Sequence, residues 1–268
     1  MKLITSTDHV RLAVYDQNPQ SDRAVFFIHG WPLSHEIFEY QTQLLLENGF
    51  RVASLDLRGF GCSDAPAFGY CYDQMAQDVH SAVKALGLQR FVLVGFSMGG
   101  AIALRYMRLF EGHGVSRLVL LAAAAPLWTE RPDYPFGHPC TYVNDLIDQA
   151  ATDRPMLARS FSRQLFACEH SEAALDWFEG IALSASGVGT IQASISLRDE
   201  DGRSDLGCVH VPTTIIHGAQ DSIVPAELAR LQNEGIAHSQ LVMLPNSGHG
   251  IFYDELTDFN EAFLHAVQ

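Results

Sequence analysis

The sequence predicts an α/β domain: a mostly parallel, doubly wound sheet with an antiparallel N-terminal edge and a helical insertion. Three observations carry this expectation. Short, wholly apolar runs such as Ala24–Ile28 and Phe91–Val94 read as strands covered on both faces. Longer segments with helical spacing lie between them and stop at Asn48-Gly49 or at Gly87. The rhythm breaks near residue 127 and resumes near 206, so residues 1–126 and 206–268 are expected to form the core, with 127–205 inserted as a helical cap.

Val10–Tyr15 alternates at period two, as a half-exposed strand does, and Leu3-Ile4 starts a partner strand ahead of it. The turn cluster Asn18–Asp22 leads into the Ala24–Ile28 strand, which His29-Gly30-Trp31-Pro32 closes. Ser34 is placed to cap a helix through Ile37, Phe38, Tyr40, Leu44 and Leu45. A strand over Arg51–Leu55, a helix from about Asp73 to Leu86 and the Phe91–Val94 strand follow. Ala101–Met107 then reads as helix and Arg117–Leu121 as strand. Within the insertion, helices are expected around 141–151, 154–167 and 171–185, and no buried strand. Pro212–Ile216 and Gln240–Leu244 restore the sheet. Pro225–Asn233 forms the helix between them, and a last amphipathic helix spans about Asp254 to Val267.

With 268 residues, 47% of them apolar, the chain can bury a sizeable core. A formal charge of −14, from 31 acids against 17 bases, disfavours nucleic acid as a partner. Polar Thr5, Ser6, Thr7 and Asp8 interrupt what would be a signal peptide's apolar core, and the Leu118–Leu127 run is too short to span a membrane. Five scattered cysteines without a C-x-x-C pair argue against a disulfide framework or structural zinc, and a reducing cytoplasm is the expected compartment. None of the twelve histidines forms a close ligand pair, so no metal or other cofactor is expected.

Chemistry centres on Gly95-Phe96-Ser97-Met98-Gly99, where a strand turns sharply into a helix. Glycines two residues either side avoid backbone clashes and tolerate positive φ, and Ser97 is pushed out above the sheet edge. By chance alone G-x-S-x-G would arise in about one chain in ten of this length, so context decides. A serine hydroxyl needs a base and an acid that orients the base. Asp221 follows the strand ending at Ile216, and His249 follows the strand ending at Leu244. Both therefore lie on the same rim as Ser97, in the order Ser, Asp, His. An acyl oxyanion would be held by the backbone N–H of Met98 and, from the His29-Gly30 turn, of Trp31, with Pro32 restraining the Trp31 carbonyl.

These motifs resemble the α/β-hydrolases. His29-Gly30-Trp31-Pro32, Asp56-x-Arg58-Gly59-x-Gly61-x-Ser63, Gly95–Gly100, Gly218-x-x-Asp221 and Gly248-His249-Gly250 are most similar to the cofactor-free haloperoxidase/perhydrolase and aryl-esterase branch. The resemblance covers the chain outside 127–205. It implies ester hydrolysis through an acyl-serine intermediate, with peroxide sometimes replacing water as acceptor and no haem or metal involved.

Asp221 is preferred over Asp199, Asp201 and Asp205 for its position after a strand. His238 and His265 cannot reach the rim from a strand start and a helix. Asp56, Arg58, Ser63, His29 and His217 read as structural. Trp31, Trp128, Phe161, Phe166 and Trp177 are the aromatic candidates for a substrate pocket. The expected activity is that of a carboxylesterase-type serine hydrolase on a small or medium ester. Lactonase, carbon–carbon-bond hydrolase and a hydrolase-fold small-molecule receptor are the alternatives. Epoxide hydrolases and haloalkane dehalogenases are disfavoured because they need a carboxylate where Ser97 stands.

Overall fold

The computed structural model describes residues 1–268. The antiparallel edge consists of β1 (Lys2–Thr5) and β2 (Arg11–Gln17), with Lys2 opposite Val14 and Thr5 opposite Arg11. Strand β3 (Ala24–Ile28) is buried along its whole length, as its unbroken apolar run requires. A 3-10 turn, His35–Phe38, follows, and the Ser34 hydroxyl accepts from the Glu36 N–H at its start. Helix α1 (Glu39–Glu47) and strand β4 (Arg51–Leu55) complete the first crossover.

Helix α2 (Tyr72–Leu86) ends at Gly87, whose φ of 63° supplies the left-handed cap that only glycine adopts cheaply. Strand β5 (Phe91–Phe96) feeds helix α3 (Met98–Leu109), and β6 (Val115–Leu121) lies beside β5. After the helical segment come β7 (Thr213–Gly218), the helix Ala226–Gly235 and β8 (Ser239–Leu244). The strands form one sheet in the order β1-β2-β4-β3-β5-β6-β7-β8. Only the β1–β2 and β2–β4 pairs are antiparallel. Strand order reverses about β3, and the carboxyl ends of β3, β5, β7 and β8 share one rim, where ligands of such sheets bind.

Between β6 and β7 run the helices α4 (Cys140–Thr152), α5 (Arg154–Gln164), α6 (Glu172–Leu183), α7 (Gly187–Asp199) and α8 (Arg203–Leu206). The first three match the expected helices to within a few residues, but α7 lies where no element was expected. Its glycines, Thr190 and serines are weak helix formers. Tertiary contacts outweigh that. The Ser186 hydroxyl accepts from the Gly189 N–H at 2.9 Å, and Gly189 packs so closely on Gly59 that a side chain would overlap its backbone. Continuing the numbering, α9 is Ala226–Gly235, a short helix α10 (Ile251–Asp254) precedes the expected last helix, and α11 (Leu256–Val267) matches that helix to within two residues.

Two buried ion networks lock helices to loops. The Arg58 guanidinium is fully buried and binds Asp78 at 2.6 Å and Asp8 at 2.8 Å. Arg105 on α3 joins Asp73 of α2 to Glu200 and Asp205 at the end of the helical segment. No single helix is long and apolar enough to cross a membrane, and all five cysteines are free thiols.

Candidate active site

Ser97 stands between β5 and α3 with φ 53° and ψ −120°, a conformation that costs of order 1–3 kcal/mol outside glycine. Gly95 and Gly99 do not themselves take positive φ; the strain falls on Ser97, and the glycines answer a different need. A Cβ on Gly95 would overlap the Gly99 and Gly100 backbone, and one on Gly99 would overlap the carbonyls of Ile28 and His29. The surrounding chain holds the turn in place: the Ser97 N–H donates to the Leu121 carbonyl at 2.9 Å, and the Ala124 N–H donates to the Ser97 carbonyl at 3.0 Å.

His249 Nε2 lies 2.9 Å from Ser97 Oγ, and His249 Nδ1 lies 2.7 Å from Asp221 Oδ2. A carboxylate only accepts, so Nδ1 carries the proton and donates to Asp221. Nε2 is then free to accept from the Ser97 hydroxyl. The other oxygen of Asp221 accepts from the Ile223 and Val224 N–H groups, each at 2.8 Å. Asp221 thus caps its own turn and orients the imidazole together. Gly218 brings the two loops together, since any side chain there would overlap the Ser247 and Gly248 carbonyls. Ser97 is 6% exposed, and the His249 and Asp221 side chains are fully enclosed.

Burial works to raise the Asp221 carboxyl, but the charge and hydrogen bond of His249, with His217 and the Val224 N–H, outweigh it and hold it below the usual carboxylate range. His217 Nε2 donates to the Val224 carbonyl at 2.9 Å, and burial pushes this imidazole below its ordinary range against the opposing charge of Asp221. Its ring lies 3.4 Å from Asp221, closer to the site than its sequence position suggests. Asp199, Asp201 and Asp205 instead pair with Arg198, Arg203 and Arg105.

The loop after β3 lies directly beside Ser97: a Cβ on Gly30 would come within 2.8 Å of the Ser97 Cβ. His29 fixes that loop, donating from Nδ1 to the Gly30 carbonyl at 2.8 Å and accepting the Leu57 N–H at 3.0 Å. Asp56 receives His35 at 2.8 Å and the Cys62 N–H at 2.9 Å, so it organises loops, as does Ser63. The Trp31 N–H has no acceptor in the protein, and the Met98 N–H starts α3, where no helical carbonyl precedes it. The Trp31-Pro32 peptide is cis.

A cavity of about 90 Å³ opens next to this loop, lined by Trp31, Trp128, Phe161, Tyr142, Leu157 and Ile223 among others. Trp31 and Phe161 meet edge to face at 5.5 Å, and Trp128 Nε1 donates to the Ile223 carbonyl at 2.7 Å. Phe166 and Trp177 lie elsewhere. Phe166 packs on Phe178, His170 and Tyr253, and Trp177 on Phe178 and Tyr40, and neither lines the cavity. Tyr142, Leu157 and Ile223 were not singled out from sequence; only the position of Ile223, two residues past Asp221, hints at its role. No group of three or more His, Cys, Asp or Glu side chains is arranged to hold a metal ion.

Residues 23–256 match the family model described as the alpha/beta hydrolase fold. The AB hydrolase superfamily protein YisY of Bacillus subtilis is 46% identical over 257 residues, covering 96% of this chain and 95% of its own. Among solved structures, an esterase from Exiguobacterium antarcticum superposes with a TM-score of 0.96 at 42% identity, covering 99% of this chain and 98% of its own. A bromoperoxidase from Bacillus anthracis superposes at 0.94 with 32% identity and 99% of each chain covered. The chain therefore belongs to the α/β-hydrolase family.

Proposed function

We propose that the protein is a carboxylesterase-type serine hydrolase for small or medium esters. The observation that supports it most is the chain of two short contacts, Ser97 Oγ to His249 Nε2 and His249 Nδ1 to Asp221, on one enclosed rim. In this reading His249 takes the Ser97 proton as Oγ attacks the ester carbon, then delivers it to the leaving alcohol. Asp221 stabilises the imidazolium without itself taking a proton. The N–H groups of Trp31 and Met98 hold the oxyanion. Water, deprotonated by His249, attacks the acyl-serine, releasing the acid and returning the proton to Ser97. The 127–205 segment acts as a cap whose Trp128 and Phe161 receive the acyl group, and a cavity of about 90 Å³ favours short chains.

Hydrogen peroxide in place of that water would give a peracid, a side activity favoured by the likeness to a bromoperoxidase. Labelling with a fluorophosphonate, followed by turnover of p-nitrophenyl esters of increasing chain length and of lactones, with and without peroxide, tests the reading. Wild type is expected to label at Ser97 and to turn over acetyl and butyryl esters repeatedly. Full esterase activity in Ser97→Ala would refute it.

A further inference from the structure

His249 is mounted on a loop held from two sides, and the two sides differ in what they connect. Asp254, at the end of α10, has a side chain with no exposure. Its Oδ2 accepts from the Gly248 N–H at 2.7 Å and the Ala167 N–H at 2.9 Å. Its Oδ1 accepts from the Cys168 N–H at 3.1 Å and from His170 Nε2 at 2.7 Å. One carboxylate therefore ties the residue before His249 to three residues that follow α5. On the other flank of His249, the Gly250 N–H donates to the Leu165 carbonyl at 2.6 Å.

The two glycines make this approach possible. A Cβ on Gly248 would lie 2.8 Å from the Ala167 nitrogen and 3.0 Å from the Leu165 oxygen, and one on Gly250 would overlap the Phe166 ring. The same α5 carries Leu157 and Phe161, which wall the cavity. Glu255, the next residue, makes a different set of bonds: it accepts from the Asn246 N–H at 2.9 Å and the Ser247 hydroxyl at 2.7 Å, all within the loop itself.

We infer that Asp254 is a positioning residue that sets the His249 loop in register with the pocket-wall helix α5, so that one side chain governs both proton transfer and acyl-chain fit; this rests on the serine-hydrolase reading above. Placing both on one clamp means that loosening it moves the base relative to Ser97 and the wall relative to the acyl group together. Misplacement of reacting groups by about 1 Å costs on the order of 100-fold in rate. Glu255 supports the loop alone, so its loss should slow the reaction without changing which chain fits.

The test compares Asp254→Asn, Glu255→Gln and His170→Ala in the full chain, with p-nitrophenyl acetate and p-nitrophenyl butyrate as probes. In Asp254→Asn an amide NH2 replaces one oxygen and faces two donors. The kcat is expected to fall by about 10- to 100-fold, and the acetate-to-butyrate ratio of kcat/KM to change by about fivefold or more. His170→Ala removes a donor from the helical segment, together with the ring that packs on Phe166 and Tyr253, and should shift the ratio in the same direction by about twofold, whereas Glu255→Gln should keep the wild-type ratio. A merely structural Asp254 would lower the melting temperature and leave the ratio intact.

If both Asp254→Asn and His170→Ala keep the wild-type ratio, the inference is overturned. If Asp254→Asn does not fold, the His170→Ala ratio decides alone. Wild-type turnover that disappears in Ser97→Ala checks the underlying reading separately, so failure of the two ideas is told apart.

Discussion

Trp31 Nε1 donates to the Thr190 carbonyl at 2.8 Å, joining the loop after β3 to helix α7 across 159 positions of sequence. That bond sets the tilt of an indole that lines the cavity, while Gly30, the residue before it, packs against Ser97. It also explains why α7 forms from residues of low helix propensity: its carbonyls and small side chains are packed against the Trp31 and Gly59 loops.

Trp31→Phe keeps an aromatic ring but removes the donor, while the Thr190 carbonyl still accepts the Ser194 hydroxyl at 2.6 Å. The expected loss of stability is about 0.5–1.5 kcal/mol, measured as a shift in urea midpoint. Ester kcat/KM should fall as well, because the proposed oxyanion donor sits on the same loop. An unchanged midpoint would mean that the bond carries no net stabilisation.

Asp221→Asn separates the two tasks of that side chain. An amide oxygen can keep accepting from Ile223 and Val224, so the melting temperature should move little. The amide NH2 would then face His249 Nδ1, favour the opposite tautomer and place a proton on Nε2, where Ser97 needs an acceptor. A drop in kcat of about 10³ to 10⁴ is expected. A loss smaller than tenfold would remove Asp221 from the mechanism.

Acid should destabilise the fold before its carboxylates titrate. Burial pushes His29 down to about 4, against the opposing charge of Asp56, and burial likewise lowers His80 and His217. An unfolded histidine titrates near 6.5. Below that pH the unfolded chain binds protons that the native chain refuses, so stability falls from about pH 6.5 down to about 4. At 1.36 kcal/mol per unit, His29 alone contributes roughly 3 kcal/mol of that decline. Asp8, held at about 2 chiefly by its hydrogen bond to Arg58, adds its loss only below the ordinary carboxylate range. Urea titrations between pH 7 and 4.5 should give a shallower pH slope for His29→Asn than for wild type, and equal slopes would contradict the assignment.

Phe161→Leu enlarges the cavity at its α5 wall while leaving the Trp128–Ile223 bond intact. If acyl groups lie there, the kcat/KM ratio of hexanoyl to acetyl p-nitrophenyl esters should rise by about tenfold, since one or two methylenes in an apolar pocket discriminate by that order. An unaltered ratio would place the acyl group elsewhere.

The sequence by itself determined the strand–helix alternation, because apolar runs and glycine stops are local properties. It also determined the positions of Ser97, Asp221 and His249 just past the ends of β5, β7 and β8, since a parallel sheet brings the carboxyl ends of its strands to one rim. The Gly95 and Gly99 spacing was legible too, although its reason is close backbone approach, of Gly95 to Gly99 and Gly100 and of Gly99 to the Ile28 and His29 carbonyls, rather than positive φ at the glycines. Tertiary structure alone decided the rest. Whether an aromatic residue of the 127–205 segment faces a cavity or a neighbouring helix depends on how that segment docks, which separates Trp128 and Phe161 from Phe166 and Trp177. Helix α7 and the Asp254 clamp escape a local reading for the same physical reason: their hydrogen-bond partners and packing surfaces come from chain segments far away in sequence, and no periodicity records them.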